Sequence, residues 1–173
     1  MRTIKLLLAL AVLALPAWAA LDYERLEQPE GDFAFSYPTG WAPTYGFNAV
    51  GLQPPGPDGE SLQVTLERCP LGDTPPTAGA FVSALLKEKG RFRRLASRRS
   101  LTVAGTSAER IALDDTKSLR GLRGETLPGP MRHVYLVIPR KAGYYVLSMK
   151  GPAPGFNRNL PEFDRIAASL TLR

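Results

Sequence analysis

Two residues carry the strongest potential for covalent or metal chemistry, and each occurs once: Cys69 and His133. One histidine and one cysteine fall short of the ligand set that a protein zinc site uses. A Cys–His dyad would need the two side chains in contact, with an orienting group and an oxyanion hole beside them. No local motif announces either, and His133 also reads as a structural residue on a sheet face. Asp114-Asp115 precedes a loop, and Glu162 with Asp164 suits a helix start; neither pair matches a calcium loop. A phosphate-binding glycine loop and a Gly-x-Ser-x-Gly elbow are missing. No catalytic residue, metal ligand or cofactor is assigned, and the expectation is that the chain is not an enzyme.

The most distinctive polar feature is basic. Lys87, Lys89, Arg91, Arg93, Arg94, Arg98 and Arg99 crowd one stretch, diluted only by Glu88, and Lys117, Arg120 and Arg123 follow downstream. Guanidinium forks bind carboxylates and phosphates bidentately. The candidate binding patch is therefore Arg91, Arg93, Arg94, Arg98, Arg99, Arg120 and Arg123. Arg94 and Arg98 share strand parity and are expected on one face. The plainer alternative is a solvated surface, because charge runs usually serve solubility. A second candidate is an aromatic ligand pocket built from Tyr37, Trp41, Tyr45 and Phe47. Aromatic residues at period two more often belong to a core.

The elements that must position these residues are legible from patterning. Met131 to Ile138 is apolar on both parities and reads as an interior strand. Pro139-Arg140-Lys141-Ala142-Gly143 is a turn, and Tyr144 to Lys150 is the return strand of an antiparallel hairpin. Gly151 to Gly155 is expected to end that strand. Pro161 is expected in the first turn of a following helix, with Glu162 and Asp164 near its positive end. Phe163, Ile166, Ala167 and Leu170 give that helix one apolar stripe.

Upstream, Phe33 to Tyr37 reads as a strand closed by a Pro/Gly turn, and Ala49 to Gln53 as a short apolar run. Ser61 to Arg68 alternates like a strand. Thr77 caps a helix striped by Ala78, Phe81, Val82 and Leu85, with Gly90 as its stop. Leu95 to Val103 and Ser107 to Leu113 form a hairpin around Ala104-Gly105-Thr106. Asp114 to Pro130 lacks periodicity, and loops of that length are usually functional or mobile. Helices do not alternate with strands throughout, so the fold class is α+β, an antiparallel sheet flanked by helices.

Compartment follows from the first residues. Arg2 and Lys5 precede an unbroken apolar run, Leu6 to Leu15; Pro16 ends it, and Ala17-Trp18-Ala19 supplies a cleavage site. The run is too short to span a bilayer. Residues 1–19 are thus expected to be a signal peptide cleaved after about Ala19, making the protein periplasmic or secreted. Residues 20–32 carry five acidic side chains against Arg25 alone and are expected to form a solvated acidic tail. Residues 33–173 are expected to form one domain, large enough to fold without disulfides. The lone Cys69 has no internal partner. It is either a small inert strand-end residue, partly exposed by parity, or the link of an intermolecular dimer; otherwise a monomer is expected.

Phe35-Ser36-Tyr37-Pro38-Thr39-Gly40-Trp41, the Val103-Ala104-Gly105 turn, and the ending Tyr145-Val146-Leu147, Phe156 and Leu160 to Leu170 together resemble the PsbP-like superfamily. That superfamily includes the extrinsic photosystem II subunit and bacterial envelope proteins of the DcrB type, and the Ran-binding import factors are similar in fold. The resemblance spans Phe33 to Leu172. It implies an αβα sandwich and a non-enzymatic binding or assembly role, and it carries no functional residue across. The expected function is an exported envelope module that docks a protein or an anionic lipid or glycan through its basic edge or sheet face, without nucleic acid. The alternatives are a small-ligand carrier using residues 37–47 and, more remotely, a Cys/His hydrolase.

Overall fold

The computed structural model describes residues 22–28, 32–60, 62–70, 72–87, 93–115 and 130–173. The signal peptide expected at residues 1–19 lies outside them, as do Gly90 and most of the aperiodic stretch before Pro130.

Strand β8 (Met131–Pro139) and strand β9 (Tyr144–Pro152) form the expected hairpin at the centre of a seven-stranded antiparallel sheet. On its other side β9 pairs with β5 (Gln63–Cys69), bringing Leu147 opposite both Leu66 and Leu136. The sheet continues outward from β5 through β4 (Ala49–Gln53) to β3 (Ala42–Tyr45), and from β8 through β7 (Thr106–Asp115) to β6 (Arg93–Val103). Ala104 and Gly105 both take positive φ, 48° and 72°, which is the twist that a two-residue hairpin loop requires between β6 and β7.

Apolar residues on both parities of β8 and β9 need cover on both faces. Val134, Leu136 and Ile138 pack with Leu147 and Met149 beneath helix α2 (Ala153–Ser169) and a second, three-stranded sheet. On the opposite face, Val137, Tyr144 and Val146 meet Val82 and Leu85 of helix α1 (Ala78–Lys87). Thr77 caps α1 as expected, its hydroxyl accepting the Ala80 N–H at 3.2 Å. The chain is thus an α+β sandwich: α1, the large sheet, then α2 beside the small sheet.

Three expectations change. The acidic segment is no tail. Residues Tyr23–Glu27 form β1, which pairs antiparallel with β2 (Phe33–Pro38), and β2 pairs with β10 (Thr171–Leu172). Leu26 is buried in the main core, and two of the carboxylates on β1 face a hydroxyl or cations: Glu24 accepts from the Tyr37 hydroxyl at 2.9 Å, and Glu27 lies 3.6 Å from Arg25 and 3.7 Å from Arg173. One buried leucine and a strand ladder suffice to hold the segment down despite its charge.

Helix α2 starts at Ala153, directly after β9, so Pro154 rather than Pro161 occupies its first turn. Pro161 lies inside the helix at an exposed position, and Asn157, whose carbonyl loses its helical donor to the proline, is exposed as well. The stripe therefore reaches back to Phe156, and Glu162 and Asp164 sit mid-helix. Asp58 instead supplies negative charge near the helix start. It accepts Arg158 Nε at 3.1 Å and Nη2 at 2.5 Å, which, ahead of the opposing effect of burial, holds its carboxyl below the usual range.

Cys69 is buried, 3% exposed, although parity suggested otherwise. The face it shares with Thr65 and Glu67 is covered at this end by α1 and Tyr144. Burial first, and then the Glu67 charge, push its thiol up. A thiol so placed is inert, and an intermolecular Cys69 link would require the strand end to open.

Ile166 is fully buried between α2 and both sheets. Ile166→Ala should lower unfolding free energy by about 2–5 kcal/mol, the usual range for emptying a core site, and shift the urea midpoint down at unchanged m-value.

Candidate functional site

The two unique residues are kept apart by register. Cys69 stands opposite Tyr144, which stands opposite Pro139, and His133 lies six residues further along β8, about 20 Å away. His133 is 7% exposed and stacks on Tyr135 with ring centroids 6.2 Å apart. Its Nε2 lies 3.0 Å from Asp115 Oδ2, while Arg93 Nε donates to Asp115 Oδ1 at 2.9 Å. Burial works to raise the Asp115 carboxyl; the bonds from Arg93 and His133 outweigh it and hold the group low. His133 is thus a structural residue in a polar cluster, as its sheet position allows. Among the described residues, no three His, Cys, Asp or Glu side chains gather as metal ligands.

The basic stretch divides. Arg91, Arg120 and Arg123 lie outside the described residues, as do Lys89 and Lys117. A register shift at Ala96 on β6 breaks the alternation, so Arg94 and Arg98 do not share a face. Arg98 turns to the α1 side, where Glu109 accepts from its Nε and Nη2 at 3.0 and 2.6 Å. Arg94 turns to the other side and meets Asp114 at 3.4 Å, the same carboxylate that Arg132 approaches. Arg93 bonds Asp115. Acids of β7 therefore answer three of the four described arginines of the patch; Arg99 projects from the α2 side without an ion pair among the described residues.

The aromatic stretch divides as well. Tyr37 and Trp41 are core residues, each 7% exposed, and Tyr37 meets Phe35 edge to face. Tyr45 and Phe47 stand out at 62% and 83% exposure beside the edge strand β3. Tyr45 borders a shallow groove of about 500 Å³ on the α1 side, floored by Gly51, Thr65 and Ser148 and walled by Phe81 and Tyr135. Small polar side chains leave that half of the sheet uncovered by α1.

A larger cleft, about 820 Å³, opens at the far end of the hairpin, where the β8–β9 turn meets the small sheet. Arg68, Arg140, Lys141 and Arg173 line it, Asp32 is the only acidic residue among the described lining residues, and Glu27 lies 3.7 Å from Arg173. Asp32 is committed to Arg68, and Arg140 reaches the Leu172 carbonyl at 3.5 Å. Lys141 stands exposed at the turn tip. Tyr145 forms the floor, its ring edge-on to Phe33 and its hydroxyl pushed up by burial and by Asp32. Gly143 fixes the turn: its φ is +92°, and a Cβ there would lie 2.2 Å from the Cys69 carbonyl oxygen. These four cations are scattered from residue 68 to residue 173, so periodicity does not group them. The one legible signal was the pair Arg140-Lys141 inside a Pro/Gly turn.

No family model matches the chain, and no curated protein does. Solved structures do. The PsbP of Synechocystis sp. PCC 6803 (CyanoP) aligns at TM-score 0.55 with 13% identity, over 94% of this chain and 99% of that one. The Saccharomyces cerevisiae Ran-binding protein Mog1p aligns at 0.56 with 10% identity, over 88% and 96%. A Bacteroides thetaiotaomicron structure aligns at 0.55 with 15% identity over 86% of this chain, which spans 48% of its length. At such identities the likeness is one of fold.

Asp115→Asn would leave Arg93 and His133 facing a neutral amide in a buried setting. It should cost about 1–3 kcal/mol at pH 7. Because the folded-state carboxyl is held low, the stabilisation is complete above the unfolded value near 3.9 and fades as pH falls through the lower folded value. Urea titrations should show the wild-type advantage at pH 7 and its shrinkage in acid. The antiparallel layers, the register of the central hairpin and the three alignments converge on one architecture: this chain has the PsbP-like fold.

Proposed function

We propose that the chain is an exported, non-catalytic docking module of the cell envelope that receives an acidic partner protein in the cleft formed by Arg68, Arg140, Lys141 and Arg173. The carrying observation is the charge of that cleft: four cationic side chains line it, Asp32 is the one carboxylate among its described lining residues and is bonded to Arg68, and Glu27 lies 3.7 Å from the exposed Arg173. Clustered exposed charge steers an oppositely charged partner and sets its register. The arginines of β6 are poorer candidates, because Asp114, Asp115 and Glu109 hold three of them. Protein binding has a precedent on this fold, since the yeast neighbour is a Ran-binding protein. Export rests on the basic, apolar and small-residue pattern of residues 1–19. The separation of Cys69 from His133, with the raised thiol, counts against a Cys/His hydrolase. The groove bordered by Tyr45 is the feature that would favour a small-ligand carrier instead.

Gentle purification from the native host at low salt, followed by native mass spectrometry, tests this. A protein-sized increment should appear, should vanish in Arg140→Glu/Lys141→Glu at unchanged thermal midpoint, and should survive Arg94→Ala/Arg98→Ala. Retention unaffected by the cleft double variant would defeat the proposal, and a small adduct in place of a protein would transfer the argument to the Tyr45 groove.

A further inference from the structure

The groove on the α1-side face is polar along its floor. Strand register sets one row of residues across it: Thr44, Gly51, Thr65, Ser148 and Tyr135, each on the next strand. Gly51 leaves a gap in that row. The Thr44 hydroxyl and the Gln63 amide lean into the gap, since a Cβ on Gly51 would lie 2.6 Å and 3.2 Å from them. Among the described residues, no hydrogen bond engages the side chains of Thr44, Gln63, Thr65 or Ser148. Each of these groups can both donate and accept. Phe81 and Tyr135, both partly exposed, form the wall beside α1.

The two ends of the groove differ in charge. Lys150 stands opposite Gln63 in the β5–β9 register, and Glu67 lies four residues further along β5, opposite Val146. Both line the groove, both are exposed, and neither has an ion pair among the described residues. Strand geometry sets their Cα atoms about 14 Å apart. A trench with a cation at one end, a carboxylate at the other and neutral hydrogen-bonding groups between them is complementary to a zwitterion of matching length. A simple anion or cation would answer only one end. A three-residue peptide reaches at most about 11 Å, and an ion-pair contact of about 3 Å at each end completes the span. Its amide groups would meet the hydroxyls and the Gln63 amide, and an apolar central side chain would meet Phe81 and Tyr135. The volume of about 500 Å³ lies within the range of small-ligand sites.

We propose that this groove binds a short free peptide of about three residues, its ammonium at Glu67 and its carboxylate at Lys150. The site is separate from the cationic cleft and does not rest on the docking reading.

Isothermal titration of the full chain at low salt with the tripeptide Ala-Leu-Ala tests it. Ala-Leu-Ala should bind one to one, and its N-acetyl and C-amide forms, each lacking one end charge, should bind at least about fivefold more weakly. Lys150→Gln should weaken the free tripeptide by a similar factor and leave the C-amide form unchanged. Glu67→Gln should weaken it likewise and leave the N-acetyl form unchanged. Both positions are exposed, so both variants should keep the wild-type thermal midpoint. Arg140→Glu/Lys141→Glu in the cleft should not alter tripeptide binding. No binding of Ala-Leu-Ala, or binding unchanged in both groove variants, overturns the proposal. Equal binding of the doubly capped peptide also overturns it and gives the groove to an internal segment of a protein. Loss of binding in the cleft variant would move the peptide to the cleft and sink the assignment to this groove.

Discussion

Everything in this molecule depends on a hairpin that is apolar on both sides. Strands β8 and β9 place Val134, Leu136, Leu147 and Met149 on one face and Val137, Tyr144 and Val146 on the other. A sheet with two apolar faces is stable only when both are covered. Covering them needs the long amphipathic helix α2 with the small sheet on one side and the shorter α1 on the other. Because β9 also pairs with β5, the same strand joins the N-terminal and C-terminal halves of the chain. Burial at the centre leaves function to the margins: the end where the β8–β9 turn projects and the uncovered half of the α1-side face.

Charge is distributed by that geometry rather than by sequence density. The basic run looks like a continuous patch, yet each strand position sends its side chain to one face or the other, and a bulge at Ala96 changes the assignment midway. The facing strand β7 carries Glu109, Asp114 and Asp115, so three of the four described arginines of the run are neutralised where they stand. The uncommitted cations come from separate elements that the fold brings together. Exposed ion pairs of this kind contribute little to stability. Their consequence is selective: they draw several arginines, Arg173 with Glu27 among them, out of the surface potential and leave Lys141 and Arg99 exposed without an ion pair among the described residues.

Much of the fold was legible. The two hairpins, the Thr77 cap, both helix stripes and the α+β class follow from periodicity and turn residues, because each is a local property. Three features were not, and each has a physical reason. The acidic strand β1 needed a tertiary partner, β2, that its composition does not advertise. The start of α2 was obscured because Pro154 and Pro161 both suit a first turn, and only the tolerance for a proline at an exposed position inside the helix separates them. Cys69 was misplaced because parity tells which face a residue takes but not whether a distant helix covers that face. The candidate sites were the least legible part. Arg68 and Arg173, or Thr65 and Ser148, meet only through strand register, and register is a long-range property that no window of sequence contains.

The central claim is that a partner docks on the cationic cleft at the β8–β9 turn. Hydrogen exchange compared between the free protein and its purified complex tests it most directly. Slowed exchange at residues 140–145, at Thr106 and at residues 171–173, with the α1-side face unchanged, is the result predicted. Protection confined to the α1 side, around Tyr45 and Tyr135, would contradict the account and make the uncovered sheet face the docking surface.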